Sequence, residues 1–164
     1  MNQDPSSNAN IEQAILAVAQ VFKEGSISIN SNPYKFSAYR NAAQNSGNAA
    51  FAKINFDTEL FDTNSNFDVT TNVGRYTAPL DGFYQFNARA SATSTTQFLL
   101  ALYKNGVLYQ RGDHALGNGT YGSTYSNTVQ SAANDYWEIY SFGSGGALEV
   151  STYIGFSGFL VSRT

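Results

Sequence analysis

The sequence predicts an all-β fold, a β-sandwich or jelly roll preceded by one short α-helix. Three observations carry this reading. Helical hydrophobic spacing is confined to residues 10–25 and stops by Ser26. Beyond it, β-branched and aromatic residues recur in short runs broken by Gly, Asn and Pro, the pattern of strands joined by turns. Within those runs Tyr84, Phe86, Ala88 and Ala90 alternate with Gln85, Asn87, Arg89 and Ser91, so one face is apolar and the other polar. Many short strands after a single helix leave a sandwich or jelly roll as the architecture that buries every apolar face.

Residues 1–9 read as a disordered polar tail. Asn10 is a good N-cap with Gln13 three residues on, Lys23 lies in the last turn, and Gly25 closes the helix. Ile11, Ala14, Val18 and Val21 fall on a and d positions, with Ile15 and Phe22 beside them. Such a seam spans about two heptads and does not hold alone in water. It fits either an amphipathic helix packed on its own domain or a threefold stalk zipped by the domains it joins. Residues 26–33 are expected to be a linker, and residues 34–164 the β domain.

Within that domain residues 34–40 and 52–56 are expected strands, followed by the alternating strand at 83–93. Residues 97–104 are apolar on both faces, through Phe98, Leu99, Leu100, Ala101, Leu102 and Tyr103. A strand buried on both faces lies inside a sandwich and against something further, for which a partner subunit is the expected candidate. Asn105-Gly106 is the strongest hairpin signal in the chain, with a return strand over 107–110. Residues 135–142, 147–154 and 158–162 complete the strands, and the Gly- and Ser-rich stretches 117–126 and 143–146 read as loops.

Composition bounds the function. The 164 residues fit one domain with a short extension, long enough to bury a core without disulfides or a metal. With no Cys there is no disulfide framework, thiolate metal site or thiol nucleophile. Charged residues are 13% of the chain, the net charge is -3, and the nine Lys and Arg are scattered. Nucleic acid is therefore not an expected partner, because its affinity comes from clustered Lys and Arg. The start of the chain has no basic, apolar export pattern, so either a segment was removed or export bypasses the general secretory route. The apolar run at 15–22 is too short for a span, and no membrane insertion is expected.

One stretch carries a family resemblance. Phe56, Asp62 and Phe67 lead into Pro79 and then Gly82, Tyr84 and Phe86, and this spacing resembles the signature of the C1q globular domain. Phe36-Ser37-Ala38-Tyr39-Arg40 is similar to that family's first strand, Lys104-Asn105-Gly106 to its central hairpin, and Phe156-Ser157-Gly158-Phe159-Leu160 to its closing strand. The chain departs from the pattern at Tyr76, where Phe is typical, at Ala88, where an aromatic is typical, and in a segment about two residues longer between Phe67 and Tyr76. No collagen repeat precedes the domain, which points to a bacterial or bacteriophage relative. The resemblance implies a ten-stranded jelly roll of the C1q/TNF superfamily, assembled as a parallel homotrimer, with no catalytic residues and no cofactor. Ile11, Ile15, Val18, Val21, Tyr84, Phe86, Phe98, Leu100, Leu102 and Phe159 are the expected core or trimer-interface residues.

The remaining motifs are weaker. Asp57, Asp62, Asp68 and Asp135 are candidate calcium ligands, a site some C1q-like trimers carry near the axis, but Asp also starts turns. Arg111-Gly112-Asp113 matches an integrin tripeptide, Asn118-Gly119-Thr120 is a glycosylation sequon, and His114 is the only His and reads as a surface residue. Tyr109, Arg111, Asp113, Asn118, Tyr121 and Tyr125 make the most paratope-like stretch, suited to a receptor or a saccharide. The expected function is a trimeric recognition module at the tip of an extracellular fibre, cell-surface protein or virion. The alternative is a purely structural trimerisation cap.

Overall fold

The computed structural model describes residues 11–16 and 32–164. The chain falls into two units divided between Ser31 and Asn32. In the first, residues 11–16 are α-helical, with Ile11 and Ile15 exposed. The expected tail at 1–9, the rest of the predicted helix with Val18 and Val21, and most of the predicted linker lie outside the described residues.

The second unit is a jelly-roll sandwich. Its eleven strands are β1 (Lys35–Tyr39), β2 (Gln44–Asn45), β3 (Asn48–Lys53), β4 (Thr58–Asp62), β5 (Phe67–Asp68), β6 (Arg75–Thr77), β7 (Gly82–Lys104), β8 (Val107–Ser131), β9 (Tyr136–Ser144), β10 (Ala147–Leu148) and β11 (Gly155–Arg163). β7 and β8 form one long antiparallel hairpin that turns at Asn105-Gly106, with φ of 52° and 78°. The hairpin bends around the Thr95–Gly119 pair, next to Ser94 (φ 55°) on β7 and with Gly117 and Gly119 (φ 143° and 144°) on β8, and so crosses from one layer to the other. The first layer runs β4-β1-β11 to the first half of β7 and the second half of β8. The second runs β5-β6-β9 to the remaining halves of β7 and β8, with β3 also along β9.

The core lies between the layers and is largely aromatic. Phe36 stacks on Phe67 at 4.7 Å and on Tyr76 at 4.6 Å, and meets Phe156 edge-on at 4.9 Å. Tyr84, Phe86, Phe98, Leu100, Leu102 and Trp137 are fully buried. Gly158 leaves room for this cluster: a Cβ there would stand 2.6 Å from Phe86 Cδ1 and 2.8 Å from Phe36 Cε1. Gly82 opens β7, and a Cβ there would come within 2.5 Å of the Ser162 carbonyl. Both are glycines of close approach.

Three expectations are corrected. The stretch 117–126 is not a loop but the middle of β8. Its inward residues Tyr121, Ser123, Tyr125, Val129 and Ser131 alternate with exposed Gly122, Thr124, Ser126, Thr128 and Gln130. Small and polar residues on both faces hid this period of two. Residues 147–154 are only the two-residue β10 and a 3-10 turn at Ser151–Tyr153, while β9 runs on through Ser144. Finally, the outer face of 97–104 does not need a partner subunit. Leu99 and Ala101 are 5% and 0% exposed within one chain. They are flanked across the sheet by Phe142, Tyr140 and Arg111, and Phe51, Tyr103, Tyr140 and Phe142 close over that face with centroid separations from 3.8 Å to 5.9 Å.

Candidate functional site

The outward face of the first layer carries a trough. One groove of about 580 Å³ is lined by Ser37, Tyr39, Leu60, Asn87, Arg89 and Ser157. A second of about 550 Å³ shares Asn87 and Ser157 and adds Phe61, Phe159 and Val161. Period two in β1, β7 and β11 points these side chains away from the core. Phe61, Phe159 and Val161 are 47%, 43% and 52% exposed, an apolar patch of the kind that marks an interaction surface. Sequence reasoning found Phe159 but missed Leu60 and Phe61, because β4 reads Thr-Glu-Leu-Phe-Asp and its polar flanks mask it. Beside the trough Gln85, Asn87, Ser126 and Thr128 form a polar ladder, with Thr128 Oγ1 donating to Gln85 Oε1 at 2.6 Å and Ser126 Oγ to Asn87 Oδ1 at 2.8 Å.

β8 is an edge strand of both layers, pairing with β7 alone, with its first half in the second layer and its second half in the first. Val107, Leu108, Tyr109 and Leu116 are exposed along it, so the edge combines apolar side chains with unpaired backbone groups. The bend brings its two halves together. Ser123 Oγ donates to the Asp113 carbonyl at 2.7 Å, Thr124 Oγ1 to Asp113 Oδ2 at 2.7 Å, and Tyr125 O–H to Gln110 Oε1 at 3.2 Å.

These contacts revise the paratope-like stretch. Tyr125 is buried, and its burial pushes the phenol up to about 12 against the opposing effect of Asn127. Tyr121 is half-buried and packs on the core. Tyr109 meets Trp137 edge-on at 5.2 Å. Arg111-Gly112-Asp113 lies inside β8 rather than on a loop; the Arg111 guanidinium sits 5.4 Å from the Phe51 ring and Asp113 is bonded to Thr124. Asn118 is exposed at the bend, and His114 is exposed in β8 opposite Leu99.

The four Asp residues are spread over separate turns. Asp57 accepts the N–H groups of Asn41 and Ala42 at 2.8 and 3.0 Å and lies 3.8 Å from Arg40. Asp62 accepts from the N–H of Asn64 and Phe67. Asp68 accepts three N–H groups, from Thr70, Thr71 and Asn72. Burial would raise the Asp68 carboxyl, but these bonds outweigh it and hold it well below the ordinary carboxylate range. Asp135 accepts from Ala132 N–H and Asn105 Nδ2 and pairs with Lys104 at 2.7 Å. Among the described residues no three His, Cys, Asp or Glu stand together as a metal cluster would require. Charge concentrates instead on the outward face of the second layer, where buried Glu138 lies 3.2 Å from Lys53 and 3.0 Å from Arg75, beside the half-buried rings of Phe51, Tyr103 and Tyr140.

The sequence pattern of the C1q domain family matches residues 35–161. No curated protein sequence matches the chain. Among solved structures, the globular domain of zebrafish complement 1qA protein is similar at 20% identity and a TM-score of 0.60, covering 80% of this chain and 99% of its own. Murine APRIL is similar at 8% identity and TM-score 0.59, covering 77% and 96%. The Eiger TNF of S. frugiperda is similar at 10% identity and TM-score 0.57, covering 80% and 94%. At these identities the likeness is one of fold.

Proposed function

The chain belongs to the C1q domain family, and from that premise we propose that it is a homotrimeric recognition module that binds a receptor or cell-surface glycan at the tip of a bacterial or bacteriophage surface fibre. Domains of this family are typically trimeric and non-enzymatic and usually act outside cells. No helix among the described residues is long and apolar enough to cross a membrane.

The observation that carries the reading is the presence of two unlike surfaces on one chain, the apolar trough at β4, β1 and β11 on the first layer and the apolar edge along the first half of β8. Surfaces that differ are suited to a heterologous contact, in which the edge of one copy enters the trough of the next and the rotation closes a ring. That arrangement leaves the outward face of the second layer free. There Phe51, Tyr103 and Tyr140 offer rigid, half-exposed rings beside Lys53 and Arg75, a surface with stacking area and polar handles for a saccharide or peptide.

The test is binding of the purified protein to a glycan array and to intact host cells, repeated with Tyr140→Ala and Phe159→Glu. The reading predicts that Tyr140→Ala keeps the assembled mass but loses ligand, while Phe159→Glu loses the assembled mass and with it avidity. Absence of any ligand, with assembly intact and needed for fibre formation, would favour the purely structural cap.

A further inference from the structure

We propose that Asn118 is a site of spontaneous deamidation, exposed by the fold while the fold protects the other Asn–Gly pair, Asn105-Gly106. In an Asn–Gly pair the glycine nitrogen attacks the asparagine amide carbon without a side chain in the way. The N–Cγ bond forms, the Cγ–Nδ2 bond breaks, the attacking nitrogen gives its proton to solvent base, and the amide leaves as ammonia. Water then opens the cyclic imide at either carbonyl, leaving aspartate or isoaspartate. The reaction needs only water, but the asparagine side chain must turn onto the next backbone nitrogen.

At Asn105 that rotation is blocked. Its Nδ2 donates to Asp135 Oδ1 at 2.7 Å, its Oδ1 accepts Tyr136 N–H at 2.8 Å, and its own N–H donates to the Tyr136 carbonyl at 2.9 Å. Cyclisation would break both side-chain bonds at once. Asp135 is itself fixed by Lys104 and the Ala132 N–H, so the clamp does not readily yield.

Asn118 meets the opposite conditions. It is exposed at the bend of β8, between Gly117 and Gly119 at φ of 143° and 144°. The β7–β8 register breaks on both sides of the Thr95–Gly119 pair, so the ladder is least continuous here. Nothing lies within 4 Å of where a Cβ would stand on Gly119, and no side-chain hydrogen bond like those of Asn105 holds Asn118 among the described residues. Reaction there adds a carboxylate to a chain of net charge -3. The isoaspartyl product also lengthens the backbone by a methylene at the point where β8 passes between layers.

Tryptic cleavage after Lys104 and Arg111 places the two pairs in separate peptides, 105–111 and 112–163. Intact protein held in mildly alkaline buffer should gain the amide-to-acid mass change and isoaspartate in peptide 112–163 severalfold faster than in 105–111. Asn118→Gln should abolish the gain in 112–163. Denaturant should bring the two wild-type peptides to similar rates. Equal rates in the folded protein, faster reaction at 105–111, or a gain in 112–163 that persists in Asn118→Gln would overturn the proposal.

Discussion

Tyr76 lies at the centre of the aromatic core with its hydroxyl buried and unpaired among the described residues. Burial raises its phenol pKa, and nearby Tyr84 and Asp62 act in the same direction. The ring is well used, stacked on Phe36 at 4.6 Å, so the hydroxyl is a cost without a visible return. An unsatisfied buried donor costs on the order of 1–3 kcal/mol, and Tyr76→Phe is expected to leave stability unchanged or raise it by about 1 kcal/mol. Urea denaturation measures this, and a clear loss of stability would mean that the hydroxyl has a partner. Asp68 is the contrasting residue, with every bond in place. Its carboxyl is held below the unfolded value of about 3.9, so its contribution is present above that pH and is lost as pH falls through the lower, folded value. Asp68→Asn should cost about 1.5–3 kcal/mol at neutral pH, the scale of hydrogen bonds to a charged group. The gap from wild type should close in acid, and urea midpoints followed against pH would reveal a constant gap if the carboxylate charge were irrelevant.

At the scale of elements, the legible parts of the fold are those whose burial follows one clear period. β7 declares itself through Tyr84, Phe86, Ala88 and Ala90, and the hairpin through Asn105-Gly106, because local chemistry and tertiary burial agree there. β8 was illegible from 117 onward because its buried positions include Ser123 and Ser131 and its bend is made by glycines. A strand of that composition is fixed by its partner, not by propensity. β2, β5 and β10 have two residues each and exist only as pairings. The candidate site was less readable still. Phe159 is visible as an aromatic in the closing strand, but Phe61 in the same groove and Leu60 in the adjoining one come from β4, and only the β1–β4 register brings them onto this face. The doubly apolar stretch 97–104 implies a partner from its sequence alone, whereas Phe51 and Tyr140 from β3 and β9 cover it. The junction of β1, β7 and β11 also makes a prediction. Gly158→Ala places a Cβ against Phe36, Phe86 and the Gln85 carbonyl and should cost about 1–3 kcal/mol through overpacking. A variant as stable as wild type in denaturant would mean that these rings can shift apart.

For the whole molecule the question is what covers the first layer. An exposed trough with Phe61, Phe159 and Val161 and an unpaired apolar edge at β8 are liabilities in a lone chain and assets in a ring. The acidic net charge and low charge density set no strong repulsion between copies. The two surfaces are also separable by mutation, since Phe159 lies in the trough and Leu108 on the edge. Phe159→Glu and Leu108→Glu should each release single chains with unchanged β-rich circular dichroism, because neither side chain belongs to the core.

Light scattering on a sizing column tests the central claim most directly. The account predicts a molar mass three times the 17.8 kDa of one chain, falling to that of one chain in Phe159→Glu. A wild-type protein that elutes as a stable monomer would contradict it, leaving the trough and the β8 edge without an occupant.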